Sequence, residues 1–123
     1  HIMALRGTKT AAMVRVPWND PVIIKPVLDL APAGIVVPMV CSGKEAAKAV
    51  KACRYPPQGV RGFGPIRNMY GIDSTEEYLS IASQQIMVFV QVEHIEAVNN
   101  LDEILKTPGL DGQAKSLDFN FSK

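Results

Sequence analysis

The segment Ile86-Met87-Val88-Phe89-Val90-Gln91-Val92-Glu93 constrains this chain more than any other stretch. A near-continuous apolar run reads as a strand buried on both faces, as in a parallel sheet covered by helices. A helical period follows at once, with Ile95, Val98, Leu101, Ile104 and Leu105 falling on one face. A strand that feeds directly into a helix is the unit of an α/β fold, and such folds place their chemistry at the carboxyl ends of the strands. Glu93 stands at that end. It reads as a metal ligand or an acid/base group, with a helix-start carboxylate stabilised by the helix dipole as the bland alternative.

The rest of the chain repeats the alternation. Residues 11–16 read as a strand, Asp20 as an N-cap and Pro21 as a first helical residue. Ile23, Ile24, Val27, Leu28 and Leu30 supply an apolar helix face, with a bend expected at Pro26. Residues 34–40 read as a second buried strand. Residues 42–54 read as a second helix, with Ala46, Ala49, Val50 and Cys53 inside and Lys48, Lys51 and Arg54 favouring the dipole end. Residues 55–65 carry two prolines and three glycines, which forbids a regular element. A loop of this kind is either a substrate-side lid, with Arg61 near substrate, or a tight packing turn with Arg61 a surface charge. Ser74 to Glu77 forms a capping box opening a helix to about Gln84. Pro108 and Gly109 stop the helix after Glu93. A fourth strand begins at Leu110-Asp111-Gly112 but loses strand character from Gln113 onward.

Three strand–helix units and the start of a fourth make one partial domain over residues 1–123. An eight-stranded barrel takes about 250 residues, so the chain is roughly half of one. Periodicity alone does not separate a half-barrel from a small open sheet. The initial histidine marks the sequence as a fragment or as carrying added residues. A net charge of +1, with scattered Lys and Arg, offers no basic stripe for nucleic acid. No apolar run is long enough to span a membrane. Cys41 and Cys53 form neither a disulfide framework nor a metal motif by spacing, which suits reduced thiols in the cytoplasm. The glycines lack the strand–glycine–helix order that cradles phosphate, which argues against a nucleotide site.

Four stretches carry a further signal: Val14-Arg15-Val16-Pro17-Trp18-Asn19-Asp20-Pro21, Val37-Pro38-Met39-Val40, residues 54–62, and Val90-Gln91-Val92-Glu93. In order and spacing, over about residues 4–112, they resemble the HpcH/HpaI aldolase family, with the tail 113–123 diverging. The resemblance implies an α/β fold, a partial (β/α)8 TIM barrel covering about strands 3–6 with their helices. It also implies a divalent metal (Mg2+, Mn2+ or Co2+) and a 2-oxo acid substrate, cleaved or formed next to pyruvate with release of an aldehyde.

Carried over by motif, Glu93 is one of two metal carboxylates, Arg15 holds the keto oxygen of pyruvate, and Gln91 is a supporting polar group beside the metal. The family's second carboxylate lies in a Gly-Pro-Ala-Asp-Leu segment, where this sequence has Gly112-Gln113-Ala114-Lys115-Ser116-Leu117-Asp118. Its histidine and that residue's acidic partner lie upstream and are absent here. Two readings follow: a pyruvate lyase, or a catalytically incomplete half-barrel that binds or self-associates as a homo-oligomer. From the residues themselves, Arg15 has an ion pair with Glu93 as its structural alternative, and His94 reads as a surface residue. Trp18 reads as packing, subunit contact or site mouth, and Cys41 as a buried thiol.

Overall fold

The structure, a computed structural model, describes residues 1–5, 7–64 and 66–115. Four strands form one parallel sheet in sequence order: β1 (Met13–Arg15), β2 (Gly34–Val37), β3 (Met87–Val92) and β4 (Gly112–Lys115). Parallel neighbours need crossovers, and the helices supply them. These are α1 (Pro21–Leu28), α2 (Gly43–Cys53), α3 (Thr75–Gln85), α4 (Ile95–Asn99) and α5 (Leu101–Leu105).

Local chemistry sets the helix starts. The Asp20 carboxylate accepts the Val22 N–H at 2.8 Å, and Pro21 follows at the first helical position. Ser42 and Ser74 accept the N–H groups of Glu45 and Glu77 at 3.3 and 3.1 Å. Helix α1 runs through Pro26 and ends two residues later at Leu28. Ile24 and Leu28 of its apolar face are fully buried and Ile23 and Val27 pack partly buried against the core, while Leu30 lies beyond the helix and is exposed.

The sheet's outward side chains, Ile35, Val37, Val88, Val90 and Val92, pack against Ile24, Leu28, Ala46, Ala49, Cys53, Ala97 and Ile104 in a single core. The other face does not follow the expectation of burial on both sides. Met13 and Met87 are exposed, and Val36 and Phe89 half-buried, because helices cover this sheet on one side only among the described residues.

Two further expectations are corrected, and the choice left open for the loop after α2 is decided. The strand does not fail at Gln113: Gly112–Lys115 pairs in register with Phe89–Val92, and a ladder of backbone bonds outweighs weak side-chain propensity. The helix after Glu93 breaks at Asn100 into α4 and α5. Ala97 and Ile104 are buried and Leu101 packs partly buried against the core, whereas Ile95, Val98 and Leu105 are exposed. The loop after α2 is a packing device. Arg54 is buried and donates to the carbonyls of Ile86 and Gly109 at 3.1 and 3.4 Å, at the amino ends of β3 and β4. Arg61 is 3% exposed, bonds Asp29 at 3.1 Å and lies 4.7 Å over the Tyr55 ring. A side chain at Gly59 would strike the Lys51 and Arg54 carbonyls. Residues 54–64 therefore lie on the amino-end rim, away from Glu93, and Arg61 is neither a surface charge nor part of a lid. The sequence-stretch ending Asp118-Phe119-Asn120-Phe121 lies outside the described residues.

Candidate functional site

Strand register decides what meets at the carboxyl rim. Arg15 pairs with Val36, and Val36 with Phe89, so Arg15 shares a sheet face with Phe89 and, two residues on, with Gln91. Arg15 is the last residue of β1 and Gln91 the penultimate residue of β3. The Arg15 Nε donates to Gln91 Oε1 at 2.5 Å. Arg15 is thus not buried within its strand: its side chain is 54% exposed at the rim.

Glu93 follows β3 directly, with its side chain only 13% exposed. One carboxylate oxygen, Oε2, accepts the Met39 N–H at 3.1 Å. The other, Oε1, lies 4.0 Å from Arg15 Nη2. At that separation an ion pair with one exposed partner contributes no more than about 1 kcal/mol, so stability does not account for the arrangement. Arg15, Gln91 and Glu93 thus lie together at one rim of the sheet.

Met39 was part of the Val37-Pro38-Met39-Val40 stretch, but no role for its backbone was legible in the sequence. Pro38 has no N–H to continue the ladder, and Met39 takes a left-handed conformation with φ of 53°. Val40 then rejoins, its N–H bonding the Gln91 carbonyl at 3.3 Å. This excursion turns the Met39 amide toward Glu93. Left-handed backbone at a residue with a side chain is strained and persists where its surroundings enforce it.

The other candidates sort by position. Trp18, in the turn after β1, is 56% exposed. His94 is exposed as expected, and it is also the N-cap of α4: its Nδ1 accepts the Glu96 N–H at 3.2 Å. Cys41 is partly exposed rather than buried. Its thiol is pushed up from the ordinary cysteine value by partial burial and then by the carboxylates of Glu45 and Glu96. Cys53 is the buried thiol, pushed up to about 12 chiefly by burial. Asp118 lies outside the described residues.

The donor set at Glu93 fits one corner of a hard cation's shell. A carboxylate suits Mg2+ or Mn2+, and Mg2+ completes its octahedron largely with water and substrate oxygens. Glu93 Oε1 is beyond hydrogen-bond reach of Arg15 and keeps its lone pairs for such a partner. Among the described residues no helix is long and apolar enough to cross a membrane.

The sequence model of the HpcH/HpaI aldolase/citrate lyase family matches residues 1–117. The chain is 42% identical over 114 residues to the 5-keto-4-deoxy-D-glucarate aldolase of Enterobacter sp. (strain 638), an alignment covering 91% of this chain and 44% of that protein. The chain thus spans less than half the length of the curated relatives it matches. Its backbone is similar to that of an HpcH/HpaI aldolase from Desulfitobacterium hafniense, with a TM-score of 0.84 and 27% identity over 94% of this chain and 45% of that one. An HpcH/HpaI aldolase/citrate lyase family protein from Burkholderia cenocepacia gives a TM-score of 0.81 and 30% identity over 92% of this chain and 46% of that one. The sheet is therefore an arc of a (β/α)8 TIM barrel rather than a small open sheet. With a family match over almost its whole length and a backbone that superposes on two solved members, this chain belongs to the HpcH/HpaI aldolase/citrate lyase family.

Proposed function

We propose that this chain carries part of the active site of a metal-dependent aldolase that cleaves or forms the carbon–carbon bond of a 4-hydroxy-2-oxo acid, giving pyruvate and an aldehyde. The observation that supports this best is the meeting of Arg15 and Glu93, from β1 and the end of β3, at one rim of the sheet. Glu93 would hold the cation, which is Mg2+, Mn2+ or Co2+. When bound, that cation supplies Lewis-acid polarisation of the 2-oxo group.

Arg15 binds the keto oxygen. Its guanidinium meets the negative charge that grows there as the carbon–carbon bond breaks, so its contribution increases toward the transition state. Gln91 acts through Arg15, fixing Nε and leaving both Nη groups as donors toward substrate. The Met39 amide holds Glu93 by one oxygen and so sets which oxygen faces the cation. The curated relatives are named for 5-keto-4-deoxy-D-glucarate, which makes a keto-deoxy sugar acid the first substrate to test. That substrate is a small molecule, and a reducing, cytoplasmic setting suits the two free thiols.

A second reading has its own observation. The sheet face lined by Met13, Val36, Met87, Phe89 and Ala114 is apolar and uncovered among the described residues. On this reading the chain is a half-barrel binding or oligomerisation module. Pyruvate released from a 4-hydroxy-2-oxo acid, with and without Mn2+, separates the two. Metal-dependent release that is lost in Glu93→Ala and falls at least about 100-fold in Arg15→Ala supports the lyase, by the scale of a lost transition-state donor. A folded chain that releases no pyruvate at any Mn2+ concentration supports the module.

A further inference from the structure

One other set of donors converges on the same rim, outside the Arg15–Gln91–Glu93 group. Cys41 Sγ, an imidazole nitrogen of His94 and a carboxylate oxygen of Glu96 lie within 4.8 Å of one another. They come from two segments more than fifty residues apart, so only the tertiary fold brings them together.

The backbone on both sides is anchored. The Cys41 N–H donates to Glu45 Oε2 at 2.6 Å, and the Cys41 carbonyl accepts from Asn100 Nδ2 at 2.8 Å. His94 is held as the N-cap of α4. Thiol, imidazole and carboxylate together are not the ligand set of Mg2+, which takes oxygen. They suit a borderline cation such as Zn2+ or Co2+.

We propose that Cys41, His94 and Glu96 form a second metal site, separate from Glu93, that takes Zn2+ or a cation of its class. Three protein ligands leave the fourth tetrahedral position to water. Metal bonds of about 2.0–2.3 Å set tetrahedral donors roughly 3.3–3.8 Å apart, so donors that stand at the 4.8 Å limit close by about 1 Å when a cation binds. Glu96, with its side chain 63% exposed, can make that movement by rotation, while the Glu96 N–H bond to Nδ1 leaves Nε2 as the free ring nitrogen of His94. Binding exchanges the thiol proton for the cation and releases the proton to solvent. The Glu45 and Glu96 carboxylates face the sulfur and favour positive charge there. None of this depends on the lyase reading.

Co2+ titration of the reduced chain tests the site, because a thiolate bound to Co2+ gives a charge-transfer absorption that oxygen ligands do not. The expected result is one equivalent of Co2+ with that absorption, displaced by Zn2+. It is abolished in Cys41→Ser and retained in Glu93→Ala. His94→Asn keeps a good helix cap while removing the imidazole, which guards against loss of fold. It should weaken Co2+ binding by more than the roughly 10–100-fold that follows loss of an outer-shell partner. Absence of the absorption in the folded chain overturns the proposal. So does its survival in Cys41→Ser, or its loss in Glu93→Ala.

Discussion

Arg15 shows how one hydrogen bond can orient a side chain without burying it. Half the side chain is in solvent, yet its Nε is tied to a glutamine on a strand that is not its sheet neighbour. A lysine at this position would keep the charge and lose the fork, so Arg15→Lys is not a conservative change. The two cysteines contrast in the same way. Cys41 is partly open at the rim, whereas Cys53 is 2% exposed, donates its S–H to the Ala49 carbonyl at 3.1 Å and has a thiol pushed up to about 12. Reaction follows the thiolate, so a thiol-specific reagent should modify Cys41 alone in the native chain and reach Cys53 only on unfolding. Counting modified thiols with and without denaturant checks this. Native-state reaction of Cys53 at the rate of Cys41 would contradict the burial described.

At the scale of elements, caps and packing divide the work. Helix α2 begins at Ser42, whose hydroxyl holds the Glu45 N–H, and its inner residues Ala46, Ala49 and Cys53 meet the sheet. Ser42→Ala should destabilise the chain by about 1 kcal/mol, the usual cost of a lost N-cap. The exposed mid-helix Ser80→Ala should stay within about 0.5 kcal/mol. Urea midpoints of the two variants decide, and equal midpoints would remove the cap from the account. The break between α4 and α5 has a tertiary use: Asn100, at the break, sends its side chain to the Cys41 carbonyl and ties the end of the third strand–helix unit to the exit of β2. A single continuous helix through this region was expected from the apolar spacing. That spacing did not register the break at Asn100: Leu101 and Ile104 meet the core as expected, Ala97 joins them, and Ile95, Val98 and Leu105 stay exposed.

At the scale of the molecule, the sheet is an arc with one face covered among the described residues. Its inner side presents Met13, Val36, Met87 and Phe89, and β1 and β4 are edge strands among the described residues. Unpaired strand edges and an uncovered apolar face are the features that drive association. The chain should therefore self-associate, with a weight-average mass in sedimentation that rises with concentration. Met13→Glu, which puts a charge on the open face at an exposed position, should reduce that rise. A concentration-independent monomer mass would count against association.

What the amino-acid sequence determined by itself was local. The apolar runs, the caps at Asp20 and Ser74 and the proline and glycine breaks marked the strand–helix alternation, because each depends on neighbours within a turn or two. Glu93 was legible as a rim carboxylate for the same reason: it closes a strand and precedes a helix start. Only the tertiary structure decided which rim the loop after α2 occupies, since Arg54 finds its carbonyl partners 32 and 55 residues away. Only strand register placed Arg15 against Gln91 and within 4.0 Å of Glu93, and only the left-handed turn at Met39 aimed an amide at that carboxylate. Local propensities are short-ranged, whereas these meetings are set by hydrogen-bond ladders between strands far apart in sequence.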